Sequence, residues 1–162
     1  MQSGEDQDAD SRRVLDGLRR LVRELRTSSI AAERATDLSG AQLFVLRILV
    51  REPGLSVTLL AARTLTDQSS VSVVVAKLAK RRLVKRARAQ DDARRLVLVP
   101  TAAGIRLAAS GPDPAQERLL AGLAQLGPAT RRRLADDLAR WTAAIGIGDR
   151  APGMFFEPPH RG

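Results

Sequence analysis

The hydrophobic period of this chain changes after Leu83, and this change restricts the possible folds more than any other feature of the sequence. Before it, apolar residues recur at intervals of three, one and three, namely at Val71, Val74, Val75 and Leu78. That spacing predicts a helix with one buried face, and Asp67 is a suitable N-cap for it. After it, the residues alternate over 84–89, and an apolar run at 96–99 stops at Pro100. The alternation predicts a two-stranded hairpin with its turn at residues 90–93.

A second short helix precedes the one that Asp67 begins. Its predicted N-cap is Ser56, its body covers residues 57–64, and only a brief turn separates the two helices. This arrangement is typical of a helix-turn-helix, whose second helix enters the major groove of DNA. The outward face of that helix is small and polar at its start and basic at its end. The DNA-binding residues predicted there are Ser69, Ser70, Ser72, Val73, Lys77 and Lys80. An ordinary helical hairpin with solvated serines is the alternative.

Positive charge is concentrated where this helix ends and the hairpin begins. Residues 77–95 hold nine basic and two acidic residues, a net charge of +7 in a chain whose total is +9. No acidic residue lies between Asp67 and Asp91. A focused basic block favours a polyanionic partner, most often the phosphate backbone of a nucleic acid. A solvated basic face and an anionic membrane surface are the alternatives, and the arginine bias alone is also typical of a GC-rich genome.

The predicted hairpin carries several of these charges close to its turn. The residues concerned are Arg86, Arg88, Arg94 and Arg95. A hairpin that follows a helix-turn-helix is a wing, and Arg94, beside the turn, can reach a minor groove, where narrow A·T tracts concentrate negative potential. The sequence therefore predicts two DNA-contacting elements, a helix and a wing.

The residues needed for catalysis or metal binding are scarce. The chain has no cysteine, no tyrosine and a single histidine, His160, in a proline-rich C-terminal stretch. Disulfides and thiolate metal sites are excluded, and we expect no metal, no cofactor and no enzymatic activity. The start of the chain is polar and acidic, and no apolar run approaches the ~18 residues of a membrane span, so the expected location is the cytoplasm.

The flanking segments are helical in pattern, and the fold class predicted for the chain is mainly α (α+β). Residues 1–10 read as a flexible acidic tail, and an amphipathic helix follows from about 11, with Ser11 as its cap. Ser39 is the predicted cap of a largely apolar helix at 41–51, and Thr101 of another at 101–110. A break at 111–114 restarts the helix with Asp113 as cap and Pro114 first, and the last helix covers about 129–145.

The order and residues of these elements resemble the MarR family of winged-helix transcription regulators. The segments that carry the likeness are S-V-T-L-L-A at 56–61, D-Q-S-S-V-S at 67–72, R-L-V-K-R at 82–86 and D-D-A-R-R-L-V-L-V-P-T-A-A-G at 91–104. The last of these is similar to the family's wing signature, an Asp-x-Arg before a strand and a Thr-x-x-Gly helix start.

The resemblance implies one MarR-like domain at residues 11–147. It comprises a winged helix-turn-helix at about 37–100, dimerisation helices at about 11–35 and 101–147, and a C-terminal tail at 148–162. It also implies a homodimer on a pseudo-palindromic operator, with Arg94 in the minor groove, Asp92 orienting it, and Ser70, Ser72 and Val73 facing bases. Lys77, Arg86 and Arg88 would meet phosphates. Members commonly respond to small anionic aromatic compounds, so an effector is a further expected partner.

Three departures from the family pattern bear on these expectations. Many members have an arginine where Val73 stands, and a valine cannot read guanine, although it can touch a thymine methyl group. Many have a helix-ending glycine where Arg82 stands, and the break at 111–114 interrupts a helix that is continuous in other members.

The aromatic residues near the C-terminus leave alternatives open. Trp141 is interpreted as a residue of the dimer core rather than a ligand wall. Phe155 and Phe156 either dock onto the dimer helices or lie in a disordered tail.

The function predicted from the sequence is that of a sequence-specific, double-stranded DNA-binding regulator, a homodimeric repressor relieved by a small aromatic or anionic ligand. A sequence-independent architectural DNA-binding protein is the alternative. A basic amphipathic module for membranes or partner proteins is disfavoured, because alternation after Leu83 does not give a helical stripe.

Overall fold

The computed structural model describes residues 2–89, 94–149 and 152–156, and the side chains from residue 8 onward. The described elements, in chain order, are α1 (Gln2–Thr36), α2 (Gly40–Arg51), α3 (Val57–Thr64), α4 (Gln68–Lys80), β1 (Val84–Arg88), β2 (Leu96–Pro100), α5 (Ala102–Ser110), α6 (Ala115–Gln125) and α7 (Pro128–Ala144). This is a mainly helical winged-helix fold with one two-stranded antiparallel sheet, as the sequence predicts.

Helix α2 is the centre of the molecule because it is apolar on most of its surface. Eight of its twelve residues are buried, and it contacts α1, α3, α4, α5, α6 and β2. Leu43, Leu46 and Leu49 have no exposed surface, and burial of each such side chain contributes about 1.5–3 kcal/mol to folding. The predicted cap is confirmed: the Ser39 hydroxyl accepts from the Gln42 amide, and the Gln42 side chain accepts from the Ser39 amide in return.

The helix-turn-helix packs against α2 through the predicted stripe. Val71, Val74, Val75 and Leu78 of α4 are all buried, and the caps predicted for α3 and α4, Ser56 and Asp67, are both present. The wing strands pair in the register Arg86 opposite Leu98 and Arg88 opposite Leu96. A bridge between Leu55 and Leu98 then ties β2 to the connection between α2 and α3. The wing is therefore fixed to the helical core at its base.

The end of α4 departs from what an arginine normally adopts. Arg82 has φ +58°, the left-handed region that favours glycine. The Leu83 amide donates to the Leu78 carbonyl and the Arg82 amide to the Ala79 carbonyl, at 3.0 and 2.8 Å. This is the Schellman pattern of helix ends. The chain thus forms a glycine-type helix end with an arginine in the glycine position.

Two expectations about α1 are wrong. The helix begins at Gln2 rather than at Ser11, so residues 2–10 are helical where a flexible tail was expected. Acidic residues are favourable near a helix N-terminus, where they interact with the helix dipole, and Asp10 pairs with Arg13 at 2.8 Å. Local charge at the helix start is compatible with the longer element.

The start of α6 also differs from the prediction. Its N-cap is Pro114, which makes no side-chain cap bond, and Asp113 instead pairs with Arg47 at 2.6 Å. The amide of Ala115 donates to the hydroxyl of Ser28, a buried residue of α1, at 2.9 Å. The predicted cap at Asp113 was wrong because a residue 87 positions away provides the acceptor.

An ion-pair network joins α2 to α6. Arg51 contacts Glu117 at 2.8 Å, and Arg47 lies between Asp113 and Glu117. The hydrogen bond to Glu117 is the main cause that raises the pKa of the Arg51 guanidinium above its ordinary value. These contacts hold the start of α6 against the central helix.

Candidate nucleic-acid interface

The N-terminus of α4 is held by one carboxylate. Asp67 accepts from the Ser70 amide at 2.8 Å and from the hydroxyls of Ser70, at 2.6 Å, and Ser69. The Ser69 hydroxyl, followed by the Ser70 hydroxyl and amide, holds the pKa of Asp67 well below its ordinary value, because these bonds stabilise the charged form. Asp67 is therefore a charged cap that organises the first turn.

This arrangement limits how the predicted serines can contact a base. The Ser69 and Ser70 hydroxyls donate to Asp67, and the Ser72 hydroxyl donates to the Gln68 carbonyl at 2.8 Å. A hydroxyl has one hydrogen to donate and two lone pairs that accept. While these bonds persist, the three serines offer acceptors to a partner. Acceptors suit the amino groups of cytosine and adenine in the major groove.

Gln68 is a surface residue of the same turn that the sequence reasoning missed. It is exposed, it is the first residue of α4, and its Oε1 accepts from the Thr58 hydroxyl of α3 at 3.4 Å. This contact directs the amide of Gln68 between the two helices, leaving its two N–H groups as donors. Its place in D-Q-S-S, immediately after the cap, was the available signal.

The remaining predicted residues of α4 lie along its outward side. Ser69 and Lys80 are exposed, whereas Ser70, Ser72, Val73 and Lys77 are half-buried. Arg81, next to them, contacts Asp37 at 3.0 Å and so ties the end of α4 to the junction of α1 and α2. Arg81 is therefore a member of the basic block whose side chain makes a structural contact within the fold.

The wing brings its arginines to the surface. Arg86, Arg88, Arg94 and Arg95 are exposed, and α4 contacts β1 directly. The Ala89 amide donates to the Arg95 carbonyl at 2.9 Å and extends the ladder beyond the strands. Asp92 lies outside the described residues. The helix and the wing are therefore adjoining basic elements.

The Thr-x-x-Gly motif has a packing explanation at the base of the wing. The Thr101 hydroxyl accepts from the Gly104 amide at 3.1 Å and donates to the Arg82 carbonyl at 2.8 Å. A Cβ at Gly104 would overlap the carbonyl oxygen of Leu83. The glycine thus lets α5 pack directly on the segment that joins α4 to β1.

A cavity of about 770 Å³ lies behind the helix-turn-helix, between α1, α6, the start of α4 and residues 152–155. Its walls are mostly apolar, and its charged members are Asp67 and Arg118. Arg118 forms an ion pair with Glu24, and Asp67 is occupied by the serines. The lining therefore fits a neutral apolar molecule better than an anion.

Within residues 2–89, 94–149 and 152–156, no group of three or more His, Cys, Asp or Glu side chains is placed to hold a metal ion. The helices of these ranges include none with the length and apolar character needed to cross a membrane.

Comparison with known proteins gives a partial sequence match and a fold match. The model of the MarR family matches residues 36–95, whereas no curated protein matches the sequence. The structure of a MarR/EmrR family transcriptional regulator from Acinetobacter sp. ADP1 is 20% identical, has a TM-score of 0.55, and aligns over 83% of this chain and 96% of that one.

Two further structures give similar values. BldR, a transcriptional regulator from Sulfolobus solfataricus, is 19% identical with a TM-score of 0.54, over 84% of this chain and 96% of that one. A complex of S. aureus MepR with DNA is 19% identical with a TM-score of 0.53, over 79% of this chain and 93% of that one. At such identities the likeness establishes a common fold.

Proposed function

We propose that the chain is a MarR-family transcriptional regulator, an assignment that the family match over residues 36–95 supports, and that it binds a specific double-stranded DNA sequence as a homodimeric repressor in the cytoplasm. The observation that carries the proposal is the junction of α4, capped by the charged Asp67, with an exposed basic wing. The S. aureus MepR structure, which shares this fold, is a DNA complex.

In the proposed complex α4 enters the major groove and the wing follows the backbone into the minor groove. Ser69, Ser70 and Ser72 accept from base amino groups, and Val73 touches a thymine methyl group. Gln68 reads adenine, whose edge pairs with both a carbonyl and an amide N–H. The phosphate contacts come from Lys77, Lys80, Arg86, Arg88 and Arg95, and Arg94 enters the minor groove with Asp92 as its orienting group.

Homodimerisation is supported by apolar residues that the described chain covers only in part. The exposed apolar residues on α1, α6 and α7, and at the C-cap of α7, include Val14, Leu18, Leu21, Val22, Leu123, Leu134, Leu138 and Ile145. A second copy would cover those of these residues that lie outside the cavity, namely Val14, Leu138 and Ile145, and would place two copies of α4 on a pseudo-palindromic site. A small molecule in the cavity behind the helix-turn-helix would then relieve repression. Because the lining is apolar, we favour a neutral aromatic compound over an anionic one.

The test is fluorescence anisotropy with duplex DNA from upstream of the protein's own gene, against a scrambled duplex, over a salt series. Sequence-specific regulation requires a preference for the upstream duplex that persists near physiological salt. Equal affinities that fall steeply with salt would support the alternative, a sequence-independent architectural protein.

A variant pair tests the wing. Arg94→Ala should weaken binding to the specific duplex by up to ~3 kcal/mol, the upper range for one good contact. Arg132→Ala, which removes an exposed arginine of α7, serves as the control and should bind as the unmodified protein does. Unchanged affinity of Arg94→Ala would show that the wing assignment is wrong.

A further inference from the structure

Arg81, the C-cap of α4, continues the buried face of that helix rather than its outward face. The buried residues Val71, Val74 and Leu78 recur at intervals of three and four, and Arg81 follows Leu78 at the next interval of three. Residues at this spacing project from the same side of a helix. Lys80, the preceding residue, is exposed and projects about 100° away. Arg81 therefore points in a different direction from the phosphate contacts proposed for the same basic block.

The Arg81 guanidinium contacts the residue at which α1 ends. One of its nitrogens donates to the main-chain carbonyl of Asp37, and another lies 3.0 Å from the Asp37 carboxylate. Asp37 has φ +56°, and its amide donates to the Glu33 carbonyl at 2.8 Å, which is a common left-handed ending of a helix. A positive charge is favourable at this end, because it carries the negative pole of the helix dipole. The planar guanidinium thus joins the end of α4 to the end of α1 at two points.

This two-point contact orients the helix end more than it stabilises the fold. The Asp37 side chain is 94% exposed and that of Arg81 is 36% exposed, and exposed ion pairs contribute little to folding. The end of α4 is also held on its other side, where the Thr101 hydroxyl donates to the Arg82 carbonyl at 2.8 Å. Helices α1 and α4 both pack on α2 and have little direct contact with each other. Loss of the Arg81 contact should therefore leave the chain folded and free the end of α4 on the side of α1.

We propose that Arg81 is a positioning residue of the DNA-binding site, which orients α4 on α1 and does not itself bind a phosphate. In a dimer to which α1 contributes exposed apolar residues such as Val14, the angle between α1 and α4 affects the separation of the two copies of α4. That separation determines which spacing of two half-sites the dimer can bind. The effect on DNA rests on the proposed function, whereas the contact between Arg81 and Asp37 does not.

The first experiment compares variants of the full-length chain on the duplex that the unmodified chain prefers. Arg81→Ala removes both points of contact and should weaken binding about fivefold. Asp37→Asn removes the charge, keeps a residue that tolerates the left-handed conformation, and should weaken binding about twofold. In the Arg81→Ala background, Asp37→Asn should have no further effect, because the contact is already lost.

A phosphate-binding Arg81 predicts the opposite sign for Asp37→Asn. Removal of a carboxylate that competes with phosphate would raise DNA affinity, and this result overturns the proposal, as do additive losses in the double variant. The Asp37 side chain is 94% exposed, so this sign can be read even if Arg81→Ala folds poorly. Midpoints of thermal unfolding, measured for each variant, separate loss of affinity from loss of folded chain.

The second experiment is a salt series on the scrambled duplex. Loss of a residue that binds a phosphate reduces the slope of log affinity against log salt by about one. Arg81→Ala should leave this slope unchanged, whereas Lys80→Ala, the matched control on the adjacent residue, should reduce it by about one. A reduced slope for Arg81→Ala overturns the proposal. If the chain prefers no duplex, the proposed function fails, and this series still decides whether Arg81 binds phosphate.

The third experiment tests the positioning directly with duplexes whose half-sites are moved apart or together by one base pair. The unmodified chain should discriminate among these spacings. Arg81→Ala should discriminate less, because the end of α4 can adjust its direction. A spacing preference that Arg81→Ala leaves unchanged overturns the proposal, since a residue that affects only stability would lower the affinities for all spacings equally.

Discussion

The winged-helix core, residues 38–108, and the helical arms, residues 8–24 of α1 together with α7, both carry apolar residues at helical spacing, but the arms are more polar in sequence and are packed very differently. Most fully buried side chains lie in the core, whereas none of the residues in the arms is buried. Regular apolar spacing on a helix indicates that a face needs covering. Whether the same chain or a second copy covers it depends on tertiary structure.

Glycine substitutions should affect the two regions in opposite directions. Gly104→Ala places a Cβ against the Leu83 carbonyl in the core and should lower the free energy of unfolding by about 2–3 kcal/mol. Gly17→Ala, in an arm with nothing within 4 Å of its added Cβ, should raise it by about 0.5–1 kcal/mol. Urea denaturation measures both. A loss of stability for Gly17→Ala would mean that another helix already occupies the space beside the arm.

A charge placed on the arms should act on association and leave the fold intact. Leu138, 46% exposed on α7, becomes a buried site in the proposed dimer, and an unpaired carboxylate there is costly. Leu138→Glu should weaken dimerisation by at least about tenfold in sedimentation equilibrium, with an unchanged circular dichroism spectrum. Ala139→Glu, on the same helix but turned about 100° away, is the control. Equal association of both variants with the unmodified chain would place the interface elsewhere.

Arg82→Gly, a substitution in the core, should slightly raise the free energy of unfolding. The φ of +58° at this position is unfavourable for an arginine, and glycine adopts it without strain. We expect an increase of about 0.5–1 kcal/mol in the free energy of unfolding, because the relief of strain exceeds the extra entropy of the unfolded chain. The midpoint of thermal unfolding checks this. A decrease would indicate that the Arg82 side chain makes a stabilising contact.

The smallest effect expected is a pH dependence at the start of α4. The hydrogen bonds from the serines lower the pKa of Asp67 in the folded chain, so its contribution is complete above the unfolded pKa of about 3.9. The contribution falls as the pH drops through the folded value. Asp67→Asn keeps a capping side chain without the charge. Its stability should therefore decline less than that of the unmodified chain between pH 7 and pH 3, and parallel declines would contradict the assignment.

Local signals in the sequence were enough to predict the helix caps, the buried stripe of α4 and the paired strands of the core. Ser39, Ser56, Asp67 and Thr101 cap the helices they precede, because each cap is a contact between residues two or three positions apart. The buried stripe of α4 and the two paired strands follow from periodicity in the same way. The candidate interface was predicted as a set of residues, and those assignments remain predictions.

Contacts between distant residues were not predictable in this way. The hydrogen bond from Ala115 to Ser28 spans 87 positions. No local pattern shows whether Asp113 caps a helix or pairs with a distant arginine. Met154, which is buried in the main core, lies in a segment without periodicity. It is next to Phe155 and Phe156, the larger apolar residues for which docking was one of the two alternatives, and both of these are exposed. Tertiary packing decided that the smaller and more flexible side chain is the one inserted.

Two adjacent serines on α1 each provide an acceptor to a different part of the molecule. Ser28 receives the Ala115 amide at the start of α6, and Ser29 receives the Gly40 amide at the start of α2. Adjacent residues of a helix project about 100° apart, so any rotation of α1 about its axis strains both bonds at once. Helix α1 thus fixes the orientation of α2, the centre of the winged-helix core, relative to α6, and a single turn of α1 provides both acceptors.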